Sequence, residues 1–276
     1  MTADARLTPY ELILEPLEQD AFPAIRAEAE QRGRDALQHD DFLLLGLVGA
    51  TLSSMIADDA PAEAVDQYGE LFWQGYRFWS AGRRFYTFGE AITSTLIAKP
   101  YDMDGWQLAA PPSCYVQFPN QRLWTRVAPD APFEPVDGCF IASDESSTDA
   151  GARVDLRVLL VLGLRPERPG ISLVIDRMTL DARDAGERAM QAWSDGEAAF
   201  ETSLPGGERR GLRILNTRAE LETLVLRALH ALDARPKLLV AHPARESPPA
   251  DGSHLAYVDV LDARESSGRG GAHSTA

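Results

Sequence analysis

The sequence predicts an α+β protein in which a helical N-terminal half packs on a mainly antiparallel sheet, with two further helices in the C-terminal half. Apolar residues recur at helical spacing from about Leu17 to Lys99. Short segments rich in β-branched and aromatic residues, separated by turn residues, begin near Pro111. Helical periodicity then returns twice, and the short hairpins between these segments favour antiparallel pairing.

These observations divide the chain into three parts. Residues 1–100 form a helical region and residues 101–263 form the α+β sheet region, either as one domain with the helical half or as a second unit. Residues 264–276 have nothing to bury and are predicted to be a disordered tail.

The first helices are indicated by their starting residues. Asp20 precedes the first helix, and Pro23 lies in its opening turn, where a missing N–H costs nothing. Asp41 opens a second helix over the apolar stretch FLLLGLVGATLSSMIA. This stretch is shorter than the ~20 apolar residues that cross a bilayer, and acids flank it. It is therefore predicted to be a buried core helix.

The third helix carries an aromatic stripe at spacings of three and four residues. The stripe consists of Val65, Tyr68, Phe72, Tyr76 and Trp79. Such a stripe is more typical of a core than of a platform for bases, and Trp73 and Phe78 are predicted to cover a second face. Gly82 ends this helix, and FYTFGEAITSTLIAKP is predicted as a fourth.

The sheet region begins with CYVQF and RLWTRV, which predict a hairpin with Pro119 and Asn120 at the turn. CFIA is expected as a third strand, and the acidic stretch SDESSTDAGA as a loop. RVDLRVLLVLGL and ISLVIDRMTL predict a second hairpin. A helix over residues 183–204 follows, then one with capping-box spacing at Thr217 and Glu220, and finally strands in KLLVA and LAYVDVLD.

Composition narrows the function classes. The net charge is −15, and an excess of carboxylates repels phosphate, which argues against general nucleic-acid or anionic-membrane binding. Two cysteines are too few for a disulfide framework, and the opening residues are acidic and unlike a secretory leader. These features predict a cytoplasmic protein. Abundant arginine and alanine with two lysines favour a bacterial or mobile-element origin.

Motifs that hold cofactors or metals are missing from the sequence. The chain has no Walker A loop, H-E-x-x-H, C-x-x-C or G-x-S-x-G motif, and its five histidines are scattered. We therefore expect no cofactor and no metal. Cys139 lies between Gly138 and Phe140 in an apolar strand and is expected to be a small hydrophobe, not a catalytic thiol.

Acid–base chemistry needs only two suitable groups in one cleft. Asp137, Asp176 and His254 are the weak catalytic candidates, and they would have to converge from several strands. Asp155 and Arg157 alternate with apolar neighbours, which predicts a solvent-facing stripe. An enzyme built on such a carboxylate and histidine site is one alternative function.

Recognition is the favoured function. Tyr115, Gln117, Trp124 and Arg126 are expected to project from the first hairpin, and Tyr, Trp and Arg are enriched in interface hot spots. The leading hypothesis is a non-enzymatic regulatory protein that binds a protein partner through this hairpin and the adjoining helical half. An acidic mimic of nucleic acid is the second alternative.

Overall fold

A computed structural model describes most of the chain and confirms the α+β class. The described residues are 10, 14–33, 37–57, 59–97, 106, 108, 113–119, 122–126, 130–148, 151–162, 172–181, 213–215, 218–234, 239–242 and 259–263. The helices are α1 (Ala21–Gln31), α2 (His39–Leu43), α3 (Gly46–Met55), α4 (Ala62–Ser80), α5 (Glu90–Ile97) and α6 (Arg218–Ala234). The strands are β1 (Arg84–Phe88), β2 (Cys114–Gln117), β3 (Leu123–Thr125), β4 (Glu134–Thr148), β5 (Gly151–Leu162), β6 (Ser172–Asp181), β7 (Arg213–Ile214), β8 (Leu239–His242) and β9 (Asp259–Ala263).

The sheet is mixed, with the order β6-β5-β4-β2-β1-β9-β8, and β3 joins it by pairing with β4 and β7. The long ladders from β4 through β5 to β6 are antiparallel, as is the pairing of β2 with β4. At the centre, β1 pairs in parallel with both β2 and β9. Antiparallel pairing therefore dominates, as the sequence predicts, around a parallel centre that it does not reveal.

Helices cover both faces of the sheet. Cys114 and Val116 of β2 lie in the core that contains α5 and α6, whereas Tyr115 between them lies in the core that contains α1 to α4. Strand β5 alternates in the same way, with Leu160 in the first core and Leu159 in the second. Burial on both faces explains why β5 becomes continuously apolar toward its end.

Helix α4 lies between the sheet and the outer helices. Phe78 meets Phe140 of β4 edge to face, with ring centroids 5.7 Å apart. Phe72 stacks on Phe22 of α1 at 5.7 Å. The predicted second face is therefore buried, and the aromatic stripe packs mainly in the core, although Val65 at its start is exposed.

The predicted fourth helix is wrong over FYTF, which forms β1. Gly82 and Arg83 both adopt left-handed backbone conformations, with φ of 86° and 58°, and they turn the chain out of α4. The Arg83 amide donates to the Phe78 carbonyl at 2.8 Å, while its guanidinium pairs with Glu18 at 3.0 Å. These bonds hold a non-glycine residue in a conformation that costs energy, and the helix resumes as α5.

The predicted acidic loop is also wrong. Strand β4 continues to Thr148 and β5 begins at Gly151, so the polar residues of this stretch are paired across the ladder, as in Glu145 with Val154. Backbone hydrogen bonds between strands do not require apolar side chains, and polarity alone misidentified the segment.

Several predictions fall outside the described residues. These are the helix over 183–204, the capping residue Thr217, His254 and the tail 264–276. Helix α6 confirms one of the two predicted C-terminal helices. The division at residue 100 stays a prediction, although β1 places part of the first region in the sheet.

Candidate functional site

The hairpin predicted to carry the recognition residues does not form. Strand β2 lies between β1 and β4, so both of its edges are occupied, and β3 pairs instead with β4 and β7. The amide of Phe118 donates to the Asp137 carbonyl at 2.8 Å, which directs the chain toward β4 as it leaves β2. Pro119 therefore does not lead into a strand that pairs with β2, and the other predicted turn residue, Asn120, lies outside the described residues.

Tyr115 and Gln117 are buried, which corrects the prediction that they project into solvent. The Tyr115 hydroxyl donates to Asp137 Oδ2 at 2.7 Å, and Gln117 Nε2 donates to the same oxygen at 3.3 Å. Asp137 stands at a bulge in the pairing of β4 with β5, and such bulges re-aim side chains. The three residues hold β2 and β4 together inside the protein.

Trp124 and Arg126 are nearer the surface. Trp124 is half-buried, and its carbonyl accepts a hydrogen bond from the Leu215 amide at 2.9 Å. Arg126 is exposed, with its guanidinium carbon 5.1 Å from the centre of the Phe133 ring. A binding role for these two residues stays a prediction.

The catalytic candidates are not brought together. Asp137 lies on β4 and Asp176 on β6, with β5 between them, and Asp176 is paired with Val158. Two strand spacings and about three and a half residues of rise separate their backbones by roughly 15 Å. That separation exceeds the reach of direct or single-water proton transfer, and His254 lies outside the described residues.

The cysteines behave as small hydrophobes. Cys114 and Cys139 are both buried and unbridged. Burial raises the pKa of the Cys114 thiol to about 12, and burial likewise raises the pKa of Cys139. Both thiols therefore stay protonated at neutral pH, which is unsuitable for a nucleophile.

A polar cluster that sequence reasoning missed links α2, α4 and β5. Arg157 Nη1 lies 3.2 Å from Glu70 Oε2, and His39 Nε2 lies 3.1 Å from the same oxygen. His39 Nδ1 lies 2.9 Å from Asp40 Oδ1. Gln74 Nε2 donates to Glu70 Oε1 at 3.2 Å. We call His39, Asp40, Glu70 and Arg157 the anchor cluster.

Arg157 corrects the prediction of a solvent-facing stripe, since it is 8% exposed. It shares its side of β5 with Leu159 and Val161, which α4 covers. Alternate residues of β5 face opposite sides of the sheet, as predicted, but the sequence does not show that helices cover both faces. The Arg157 guanidinium carbon lies 5.5 Å from the centre of the Trp73 ring. The centre of the His39 ring lies 5.4 Å from the same point.

The anchor cluster is poorly suited to proton transfer to a substrate. Burial lowers the affinity of His39 for a proton, but its hydrogen bonds to Glu70 and Asp40 outweigh this effect, so that the pKa of His39 is raised. Both ring nitrogens already face protein carboxylates, and Glu70 is buried beneath them. The geometry favours a structural anchor for α2.

Next to this cluster the helical layer exposes apolar side chains. Leu44 is 73% exposed and Leu47 is 42% exposed, with Leu43 and Val65 also on the surface. We call these four residues the leucine surface. Leu43 lies close to α4, because its Cδ2 would be 3.6 Å from a Cβ placed on Gly69, and Val65 is one helical turn from that glycine.

Helix α3 overturns the prediction of a buried core helix. The apolar stretch breaks at Leu44 and Leu45 into α2 and α3, and within α3 the buried residue is Val48. The remainder of α3 is small, hydroxylated or apolar and carries no charge. A surface helix of this composition presents an uncharged face to its surroundings.

Glu28 of α1 fixes the start of α3. Its two carboxylate oxygens accept from the amides of Gly46 and Leu47, each at 3.2 Å. Arg32 pairs with the same carboxylate at 2.6 Å. Burial acts against the charge, but these bonds prevail and hold the pKa of Glu28 below its usual range. The Glu28 carboxylate therefore holds the exposed apolar helix α3 against α1.

The leucine surface is formed by an acidic segment of the chain. Lys and Arg are missing from the sequence between Arg34 and Arg77. The acids in that interval are Asp35, Asp40, Asp41, Asp58, Asp59, Glu63, Asp66 and Glu70. Of these, Asp40, Asp59 and Asp66 are exposed. The segment that carries the leucine surface is therefore acidic, and Arg32, paired with Glu28 at the start of α3, is a basic residue near it.

No helix within the described residues combines the length and the hydrophobicity that a bilayer crossing requires. Within the same part of the chain, no group of three or more histidine, cysteine or acidic side chains is arranged to hold a metal ion.

Comparison with known proteins gives little further guidance. No protein-family model matches the chain, and no curated protein matches it in sequence. Among solved structures, the crystal structure of AcrVA2 aligns with 12% identity and a TM-score of 0.44, over 90% of this chain and 79% of that chain. A likeness at this level carries no argument about function.

Proposed function

We propose that this is a protein-binding protein without catalytic activity, and that it binds a basic protein partner on the leucine surface. The observation that carries the proposal is the exposure of Leu44 and Leu47 beside a surface helix, α3, that has no charge. Clustered exposed apolar residues mark interaction sites on soluble proteins, whereas scattered ones do not.

Charge complementarity favours a basic partner over a second copy of the chain. Two copies would each bring a net charge of −15, and this excess of carboxylates would repel a second copy. A partner that presents apolar residues flanked by Lys or Arg would bury the leucines and pair with Asp40, Asp59 and Asp66. Complementary charges of this kind accelerate association and exclude wrong partners.

Site-specific photocrosslinking tests the proposal. A photoreactive amino acid at position 47 should capture a basic protein, whereas the same group at Ala219, exposed on α6 across the sheet, should not. The captured protein is then purified and its affinity measured by calorimetry. Burial of the exposed part of a leucine contributes about 1–2 kcal/mol, so Leu44→Ala should weaken binding about 5- to 30-fold.

Controls separate this surface from the alternatives. Ala219→Glu should leave the affinity unchanged, and Trp124→Ala tests the surface favoured by the sequence. Capture of an acidic protein, of a second copy, or of the same protein from both positions would contradict the proposal. Raising the salt concentration should weaken binding, because exposed charges are screened beyond about 10 Å at 0.1 M.

A further inference from the structure

Helix α2 carries part of the leucine surface, and its first residue, His39, contacts Glu70 of α4. It is five residues long, too short to be stable alone. Phe42 packs beneath it in the core, and His39 links it to α4 and Asp40 at 3.1 and 2.9 Å. Leu37 and Leu45, which flank α2, are buried in the same core, so the contact of His39 with Glu70 is the polar part of a mainly apolar attachment.

The two ring contacts of His39 together require a charged imidazole. A neutral imidazole has one N–H and one acceptor nitrogen, whereas the imidazolium donates from both nitrogens. Here both nitrogens face carboxylate oxygens, those of Asp40 and Glu70. If the ring loses its proton, one of the two carboxylates meets a lone pair instead of a donor.

We propose that protonation of His39 regulates partner binding: the imidazolium holds α2 against α4, and loss of its proton loosens α2 and disassembles the leucine surface. This inference rests on the proposed function and adds its control by pH. The partner would bind tightly at mildly acidic pH and more weakly as the pH rises.

The charges around the ring support this direction. Asp40 on α2 and Glu70 on α4 provide two negative charges, and His39 and Arg157 of β5 provide two positive ones. Deprotonation of His39 changes the net charge of the cluster from zero to −1, next to the buried Glu70 carboxylate. Arg157, 3.2 Å from Glu70 and 3.7 Å from Asp40, remains to compensate both.

The sign of the pH effect follows from the raised pKa of His39. A group whose pKa is higher in the folded state stabilises that state fully below its unfolded pKa, about 6.5 for histidine. The stabilisation disappears as the pH rises through the folded pKa. The window for loosening of α2 therefore begins near the unfolded pKa of about 6.5 and extends upward through the higher folded pKa.

Two measurements on the intact chain test this inference. Hydrogen exchange of the α2 amides, corrected for the intrinsic rate, is followed between about pH 6 and about pH 9. In parallel, a fluorescein-labelled amphipathic model peptide of leucine and lysine is titrated by anisotropy. We expect α2 protection to fall with pH and peptide affinity to weaken about fivefold or more, the lower end of ordinary coupling.

Variants identify the responsible group. His39→Gln should abolish the pH dependence and bind weakly throughout, whereas His39→Lys, charged across the window, should abolish it and bind tightly. His230→Gln, on α6 across the sheet, should retain the wild-type profile. If His39 variants fail to fold, the imidazole titration and α2 exchange of the wild type still decide.

The outcomes distinguish the two proposals. A wild-type α2 whose exchange does not respond to pH, while Leu44→Lys abolishes peptide binding, overturns the regulation and leaves the binding surface intact. A peptide that binds Leu44→Lys as well as wild type overturns the binding surface itself. An unchanged pH profile in His39→Gln also overturns the regulation.

Discussion

Removal of Glu70 should be among the most damaging single changes in the helical layer. In Glu70→Ala, Arg157 keeps its buried position but loses the carboxylate 3.2 Å away. His39 and Gln74 lose the same acceptor. The nearest remaining anion, Asp40, is 3.7 Å from Arg157, and its side chain is 85% exposed, so it is a weaker partner. Breaking a buried pair by removing one member costs about 3–5 kcal/mol.

Urea denaturation followed by tryptophan fluorescence measures this cost, provided that the slope of the transition is unchanged. Asp66→Ala is the matched control, because Asp66 lies exposed one turn earlier on the same helix and should change stability by less than about 0.5 kcal/mol. The double variant Glu70→Leu/Arg157→Met, which removes both charges, should recover most of the loss. A loss below about 1 kcal/mol in Glu70→Ala, the value of an exposed pair, would refute the anchor cluster.

Three further predictions concern individual contacts. Gly138→Ala should destabilise by about 2 kcal/mol or more, since its Cβ would clash with the Val116 carbonyl oxygen. Gly49→Ala, with open space around it, should be neutral or stabilising in the same urea titration. Asp137→Ala should lower the free energy of unfolding by about 1–3 kcal/mol because the Tyr115 hydroxyl loses its acceptor. Adding Tyr115→Phe should restore part of this loss. Equal stabilities of the single and double variants would count against the bond. Glu28→Ala should cost about 0.5–2 kcal/mol at neutral pH. Because the pKa of Glu28 is lowered in the folded protein, its ionised carboxylate stabilises the fold fully above the unfolded pKa of about 4.3. This stabilisation is lost as the pH falls through the folded pKa. The melting temperatures of wild type and variant should therefore converge in acid.

The sequence predicts local structure well where one local preference dominates. Helix α4 follows from its aromatic spacing, and β5 follows from its apolar run, because burial imposes both patterns directly. Strand β1 was missed because a parallel pairing with β2 and β9 depends on segments far away in the chain. The apolar stretch of α3 was assigned to the core for the same reason: hydrophobicity gives no information on whether another element covers it.

The candidate site illustrates that limit for function. His39 is an isolated histidine in the sequence, Glu70 one of several acids on a helix, and Arg157 a charged residue in an alternating strand, so none of them stands out. Their assembly requires α4 to cross β5 at this point, where the Trp73 ring contacts both His39 and Arg157. Once that crossing is known, His39 at the start of α2 is seen to contact the buried Glu70 of α4, so an ionisable group lies beside the helix that carries Leu43. Substitutions at exposed leucines such as Leu44, which leave the anchor cluster intact, should therefore separate binding from folding, whereas substitutions within the anchor cluster should affect both.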